Sequence, residues 1–277
     1  MSERSIAFLG GGRMGEALVA GLLRSGGRST DEILVTCRRE ERARELADRH
    51  GVATTIDNAE ACRFADVLVL MAKPQDFEVL LGQIAEHVTR EHLVVTFAAG
   101  IRTSFVAQHL VPEVPVVRVM SNVPVMVDEA MSVVAPGKHA EDKHLAIVEE
   151  VLGYVGRVLR LDERYLDAVT ATSGSGPAYF FLLAEAMIEA CILLGLSRDV
   201  ATDLIVQTML GSAKMLRDTG THPVELREMV TSPGGTTIEA IRHLEEAGVR
   251  AAFLNAIDAA KKRSEELARG GDEDEEA

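Results

Sequence analysis

Short, largely apolar runs recur through the first part of the chain: IAFL (6–9), ILVTC (33–37), VLVLM (67–71), LVVTF (93–97), VVRVM (116–120), MSVVA (131–135) and RVLRL (157–161). Helix-period patterns separate them, among them Met14 to Arg24, Glu41 to His50 and Phe77 to His87. Continuous apolar runs bounded by turn residues predict strands buried on both faces. Their alternation with helices predicts a doubly wound α/β domain, a parallel sheet with helices on both sides. After Asp162 no strand-like run remains. Helical patterns follow at roughly 163–195, 198–218, 223–230, 237–247 and 249–268, broken by Gly220, Pro223, Gly234–Gly235 and Gly248. The expected organisation is a Rossmann-type domain over 1–162, an all-α domain over 163–269, and a disordered acidic tail over 270–277.

The stretch 178–196 is apolar nearly all the way round. Such a helix needs cover on several sides. Glu185 and Glu189, one turn apart, argue for a buried soluble helix and against a membrane span. A bundle from one chain supplies that cover only partly, so pairing with a second subunit is expected.

Composition narrows the function. The 277 residues are 47% hydrophobic with 4% aromatics and no Trp, so the core is aliphatic. The formal charge is −14; the terminal GGDEDEEA holds five acids, leaving about −9 for the rest. That balance argues against nucleic acid as a partner, and any bound anion must be held by local donors. Cys37, Cys62 and Cys191 have no paired spacing, which suits reduced thiols and a cytoplasmic location. The histidines form no metal-ligand cluster, so no metal is expected. The start, MSERSIAFLG, does not read as a signal peptide.

Gly10, Gly12 and Gly15 form G-x-G-x-x-G after the first strand, with Arg13 and Met14 between the last two glycines. In a βαβ unit these glycines allow a tight turn, close approach of a pyrophosphate, and close helix–strand packing. A glycine turn without ligand is the plain alternative. An NAD site would carry an acid at the end of the second strand. Here Cys37, Arg38 and Arg39 stand there, and two guanidinium groups suit a 2′-phosphate. NADPH is therefore favoured, with NADH possible; the competing reading is a solvated helix start, since Glu40, Glu41 and Arg42 follow. Met71, Ala72, Lys73 and Pro74, and Ala98, Ala99 and Gly100, follow the strands at 67–71 and 93–97, where a doubly wound sheet binds its ligand. Lys73 reads equally as a ligand contact or a strand cap.

Residues 230–245, VTSPGGTTIEAIRHLE, run from a Gly-rich loop into a helix. Thr236 with Glu239 has the form of a capping box. Free amides at such a helix start suit a small anion. A nicotinamide cofactor implies hydride transfer. A carbonyl acceptor would also need a proton donor, and the loop has no His, Lys or Tyr. An imine is basic enough to arrive protonated, so a hydroxyl to hold its nitrogen and amides to hold a carboxylate would suffice.

LGGGRMGEAL, MAKPQ, AAGI, RVMSNVPV (118–125), ATSGSGPAYFF (171–181), GSAKML (211–216) and VTSPGGTTIEAIRHLE together resemble the 1-pyrroline-5-carboxylate reductase family, from residue 6 to about 267. The resemblance implies NAD(P)H-dependent reduction of 1-pyrroline-5-carboxylate to L-proline, the last step of proline biosynthesis. It also implies helical domains interlocked into a dimer, often assembled into a ring. It assigns Thr237 to the ring nitrogen as the catalytic contact, and Ser232, Gly234, Gly235 and Thr236 to the substrate carboxylate. Asn58 is assigned to the adenosine ribose, Met71–Pro74 and Ala98–Gly100 to the cofactor, and Asn122 to substrate binding in the active site. Gly11 and Arg13 depart from the usual loop; Arg13 either adds a pyrophosphate contact or points outward.

Three other readings compete. A β-hydroxyacid dehydrogenase would share GGGRMG but needs a lysine that SGSGPAYFFLLAEAM lacks. A non-enzymatic NADP-binding sensor leaves SPGGTT unexplained. A hydrolase elbow does not match GSG at 174–176, which reads better as a close helix crossing near the nicotinamide.

Overall fold

The computed structural model describes residues 4–270; the acidic tail beyond them lies outside the described residues. Among the described residues, eight strands form one sheet: β1 (Ile6–Leu9), β2 (Ile33–Thr36), β3 (Ala53–Thr55), β4 (Val67–Leu70), β5 (Leu93–Thr96), β6 (Val116–Met120), β7 (Ala130–Pro136) and β8 (Gly156–Arg160). Their spatial order is β3-β2-β1-β4-β5-β6-β7-β8. The chain leaves β1 for one edge and returns through β4 on the other side. That reversal opens a crevice at the carboxyl ends of β1 and β4.

Two sequence expectations are corrected. The sheet is not wholly parallel, because β6 and β7 pair antiparallel. Only residues 121–129 join them, too few for the crossover that parallel neighbours require. The strand β3 was not expected. Its three residues, Ala-Thr-Thr, are exposed or half-buried at the sheet edge, so no apolar run announces it.

Side-chain alternation divides the core. Ile6, Phe8, Val67, Val69, Leu93 and Val95 face α1 (Arg13–Arg24), α2 (Glu40–His50) and the later α6 (Asp142–Gly153). Ala7, Leu9, Leu68, Leu70 and Val94 face α3 (Asn58–Phe64), α4 (Phe77–Ile84) and α5 (Thr103–Gln108). With helices on both faces, every residue of β1, β2, β4 and β5 is buried.

After β8 come α7 (Leu166–Val169) and a π-helical turn at Thr170–Gly174. The remaining helices are α8 (Gly176–Leu193), α9 (Arg198–Thr219), α10 (Pro223–Met229), α11 (Thr236–Glu246) and α12 (Val249–Gly270). By contacts the chain divides into one unit up to Ser175 together with the segment from Ala260, and a second over Gly176–Ala259. Loss of strand texture at 162 and the division by contacts after Ser175 therefore fall at different residues. In the first unit, Ser264 Oγ donates to Asp167 Oδ1 at 2.7 Å, which fastens the end of α12 to α7.

In the second unit only Gly176, Ala201 and Ile205 are buried among the described residues. Phe181, Leu182 and Leu193 are 65%, 66% and 89% exposed. The helix expected to be buried is thus bare in a single chain. By length and composition alone, the helical run Glu163–Leu193 is apolar enough to cross a membrane.

Candidate active site

The first-unit site begins where β1 ends. The Gly10 N–H donates to Phe8 O at 3.1 Å, and Gly10 adopts φ +129°. A Cβ there would be strained and would lie 3.1–3.2 Å from Met71. Gly11 donates to Thr36 O at 2.8 Å, and a Cβ on it would lie 2.5 Å from Cys37 Sγ. Cys37 is therefore buried beneath the loop as a support, its thiol pushed up by burial. A Cβ on Gly15 would lie 2.5 Å from Gly10 O, so only glycine lets α1 start this close to the strand end. Gly12 is the exposed N-cap of α1, with no side-chain cap and open space before it. The first-turn amides of α1 are thus available to an outside acceptor. This cradle fits a diphosphate: bare backbone, a helix N-terminus, and no Cβ in the way. Arg13 is exposed in that turn, and Met14 packs partly into the core.

The neighbouring strand ends converge on this loop. Met71 N–H donates to Leu9 O at 3.0 Å and Phe97 N–H to Leu70 O at 3.2 Å, which sets the 71–74 turn beside Gly10 and the 97–100 turn beside the end of β4. Met71 and Ala72 are half-buried, whereas Lys73 and Pro74 are exposed. Lys73 holds the N-cap position of a 3₁₀ turn at Pro74–Asp76 but makes no side-chain cap bond. Ala98 and Gly100 are buried and Ala99 half-buried; the backbone of Ala268 in α12 lies 3.4 Å from where a Cβ on Gly100 would be. After β2, Arg38 and Arg39 are exposed, and Arg38 Nη1 lies 3.1 Å from Asp76 Oδ2. Asn58 opens α3 and donates through Nδ2 to Gln83 Oε1 at 2.7 Å.

Asn122 serves as a brace. Its Oδ1 accepts from Met131 N–H at 2.9 Å, and its Nδ2 donates to Ser173 O at 3.0 Å. The buried amide thus ties the end of β6 to β7 and to the π-helical turn. That turn closes with Ser175 N–H donating to Thr170 O at 2.8 Å. A Cβ on Gly174 would lie 2.5 Å from Met120 Cε, so the close approach expected of SGSGP is made to the end of β6.

Sequence reasoning missed Glu16 and Arg42. Arg42 read as part of a solvated helix start. In the structure it reaches back to Gly11 O at 3.0 Å and to Glu16 at 2.5 Å. Burial pushes the Glu16 carboxyl up, but hydrogen bonds from Arg42, His50 and Arg49 outweigh it and bring it down to about 2. No local pattern marks Arg42, because its partner lies 31 positions away.

The second unit presents the SPGGTT loop. Gly235 N–H donates to Ser232 O at 3.1 Å, and Gly234 between them has φ +67°. Pro at the second and Gly at the third position of this turn match type II chemistry. Ser232 Oγ lies against Gly235 so closely that no Cβ would fit. The expected capping box is corrected. Thr236 is already the first residue of α11, and Gly235 is its N-cap without a side-chain cap. The register is one residue out, and Glu239 pairs with Arg242. Thr236 is exposed and Thr237 half-buried. The first-turn amides of α11 therefore keep no side-chain acceptor of their own.

A family model described as pyrroline-5-carboxylate reductase dimerisation matches residues 163–267. A model described as NADP oxidoreductase coenzyme F420-dependent matches residues 5–100. The chain is 42% identical to a pyrroline-5-carboxylate reductase of Methanosarcina acetivorans over 97% of its length and 100% of the relative. It is 44% identical to one of Corynebacterium melassecola, over 96% of this chain and 99% of that one. A solved pyrroline-5-carboxylate reductase from Coxiella burnetii superposes with TM-score 0.90 at 35% identity, covering 96% of this chain and 99% of that one. The Plasmodium falciparum pyrroline carboxylate reductase with NADP bound gives 0.88 at 25% identity, over 97% and 99%. Likeness of this extent, in both the sheet unit and the helices, means that the chain belongs to the pyrroline-5-carboxylate reductase family.

Proposed function

We propose that the protein reduces 1-pyrroline-5-carboxylate to L-proline with NADPH, and with NADH less well, as the last step of proline biosynthesis. The observation that carries this reading is the loop at 232–237. It brings serine and threonine hydroxyls and an uncapped helix start, but no His, Lys or Tyr. A loop without an acid–base side chain suits a substrate that arrives protonated, as a cyclic imine does. The Gly235 N–H is already given to Ser232 O, so of the stretch Gly234 to Thr237 the amides of Gly234, Thr236 and Thr237 with the Ser232 hydroxyl hold the carboxylate, aided by the partial positive charge of the helix N-terminus. Thr237 offers its hydroxyl to the ring nitrogen and aligns the imine carbon.

The nicotinamide supplies a hydride when bound. Gly10, Gly12, Arg13, Met14 and Gly15 would hold its diphosphate, and Arg38 and Arg39 the 2′-phosphate. Asn58 would lie by the ribose, and Met71–Pro74 and Ala98–Gly100 would line the ring. Cys37 serves from beneath the loop, and Asn122 by bracing β6.

The 163–269 region is assigned to dimerisation and substrate binding. The bare apolar face of α8 supports cover by a second copy, in an interlocked dimer or a ring of dimers, rather than by lipid; Glu185 and Glu189 would be costly in a bilayer. Three free thiols support a cytoplasmic location. The test is NADPH oxidation by purified enzyme with pyrroline-5-carboxylate, against hydroxy- and keto-acid controls. Turnover of the controls without turnover of the imine would overturn the proposal.

A further inference from the structure

We infer that Arg42 is a positioning residue for the dinucleotide loop: it fixes the Gly11–Gly12 peptide so that the Gly12 N–H faces outward to the diphosphate. The inference rests on the dinucleotide reading above. Arg42 lies in the first turn of α2, and each of its nitrogens has an acceptor. Nε donates to Gly11 O at 3.0 Å, Nη2 to Glu16 Oε2 at 2.5 Å and Nη1 to Glu45 Oε2 at 3.1 Å. Two carboxylates thus set the plane of the guanidinium, and the plane sets the direction of Nε.

A trans peptide is planar, so its C=O and N–H point opposite ways. Holding Gly11 O toward Arg42 turns the Gly12 N–H away from it. Gly12 is exposed and open on its outer side. The Gly11 N–H is already fixed on Thr36 O at 2.8 Å. The peptide that follows, flanked by two glycines, has little steric preference of its own and needs an anchor.

The same side chain settles a conflict of charge. Glu16 stands in the first turn of α1, near where an anion must bind. Arg42, Arg49 at 2.5 Å and His50 at 3.1 Å draw its carboxylate aside. With Arg42 removed, Gly11 O loses its partner and Glu16 loses the cation nearest the loop.

Equilibrium binding of NADPH, NADH and 2′-AMP to full-length Arg42→Gln and Arg42→Lys, by titration calorimetry, tests this. 2′-AMP carries the ribose phosphate but no diphosphate. Arg42→Gln is expected to weaken NADPH and NADH alike by about 10- to 150-fold, as for one lost charge-assisted bond, and 2′-AMP by less than about twofold. Arg42→Lys keeps the charge but cannot serve Gly11 O and both carboxylates together, so it should fall between. In turnover the loss should appear in KM for cofactor, with kcat at saturation retained. Unchanged dinucleotide affinity in either variant overturns the inference, and so does an equal loss for 2′-AMP. If Arg42→Gln fails to fold, Arg42→Lys carries the same three-ligand comparison. Failure of the wild-type protein to bind either dinucleotide would sink the parent reading, and this one with it.

Discussion

Replacing Arg38 with alanine separates NADPH from NADH. Arg38 follows β2 with its side chain 81% exposed and one nitrogen 3.1 Å from Asp76 Oδ2. A 2′-phosphate would gain charge-assisted hydrogen bonds worth about 1.5–3 kcal/mol. Against this stands the existing pair with Asp76, an exposed ion pair worth roughly 0.2–1 kcal/mol, which the phosphate must displace or share. The difference is about 0.5–2.8 kcal/mol, or roughly 2- to 100-fold in NADPH Kd. NADH offers a neutral hydroxyl at that position, so its Kd should move by less than about twofold. The assay is titration of both cofactors into wild type and Arg38→Ala at one fixed ionic strength, since exposed charges are screened by salt. Asp76→Asn is the counterpart. Removing the competing carboxylate should tighten NADPH by about two- to fivefold and leave NADH alone. Equal losses for both cofactors in Arg38→Ala, or no loss for NADPH, would refute the reasoning; a loss seen only in Arg39→Ala would move the role one residue along.

Thr237→Ala should remove about 1–3 kcal/mol of transition-state stabilisation through one hydrogen bond, roughly 5- to 150-fold in kcat/KM. Cofactor affinity and Tm should hold, and Thr237→Ser should keep most activity; near-wild-type kinetics for the alanine variant would reject the role. Assembly should depend on residues 163–268, with Tm rising with protein concentration. Sedimentation showing a stable, active monomer at low micromolar concentration would count against it. Acid should weaken the fold partly through Glu16, whose carboxyl is held at about 2 against an ordinary 4.5. A depressed carboxyl stabilises fully above its unfolded value and loses that contribution as pH falls toward its folded one. The gap in urea midpoint between wild type and Glu16→Gln should therefore shrink from about pH 6 to about pH 2.5; a constant gap would show that Glu16 is not the titrating group.

The strands and most helices were legible because their signal is local. Runs such as IAFL and VLVL are apolar throughout, and helices lie on both faces of their sheet. Gly10, Gly12 and Gly15 were readable for the same reason: turn, approach and packing demands fall on fixed offsets within one loop. The SPGGTT loop showed its type in sequence, but its cap register did not. Whether Thr236 or Gly235 ends the turn depends on the Ser232–Gly235 hydrogen bond, and that places Glu239 beyond capping reach. β3 stayed hidden because an edge strand of Ala-Thr-Thr buries too little to leave a pattern. The antiparallel turn into β7 depended on connection length, which limits pairing without fixing it.

The sequence by itself determined most of the elements, the glycine turn after β1 and the class of chemistry, because each is set by residues close along the chain. Only the tertiary structure decided what Arg42, Asn122 and Asp76 do. Their partners, Gly11, Ser173 and Arg38, lie 31, 51 and 38 positions away, brought near by the winding of the sheet. A side chain's partner across such a distance is fixed by packing, and no local spacing encodes it.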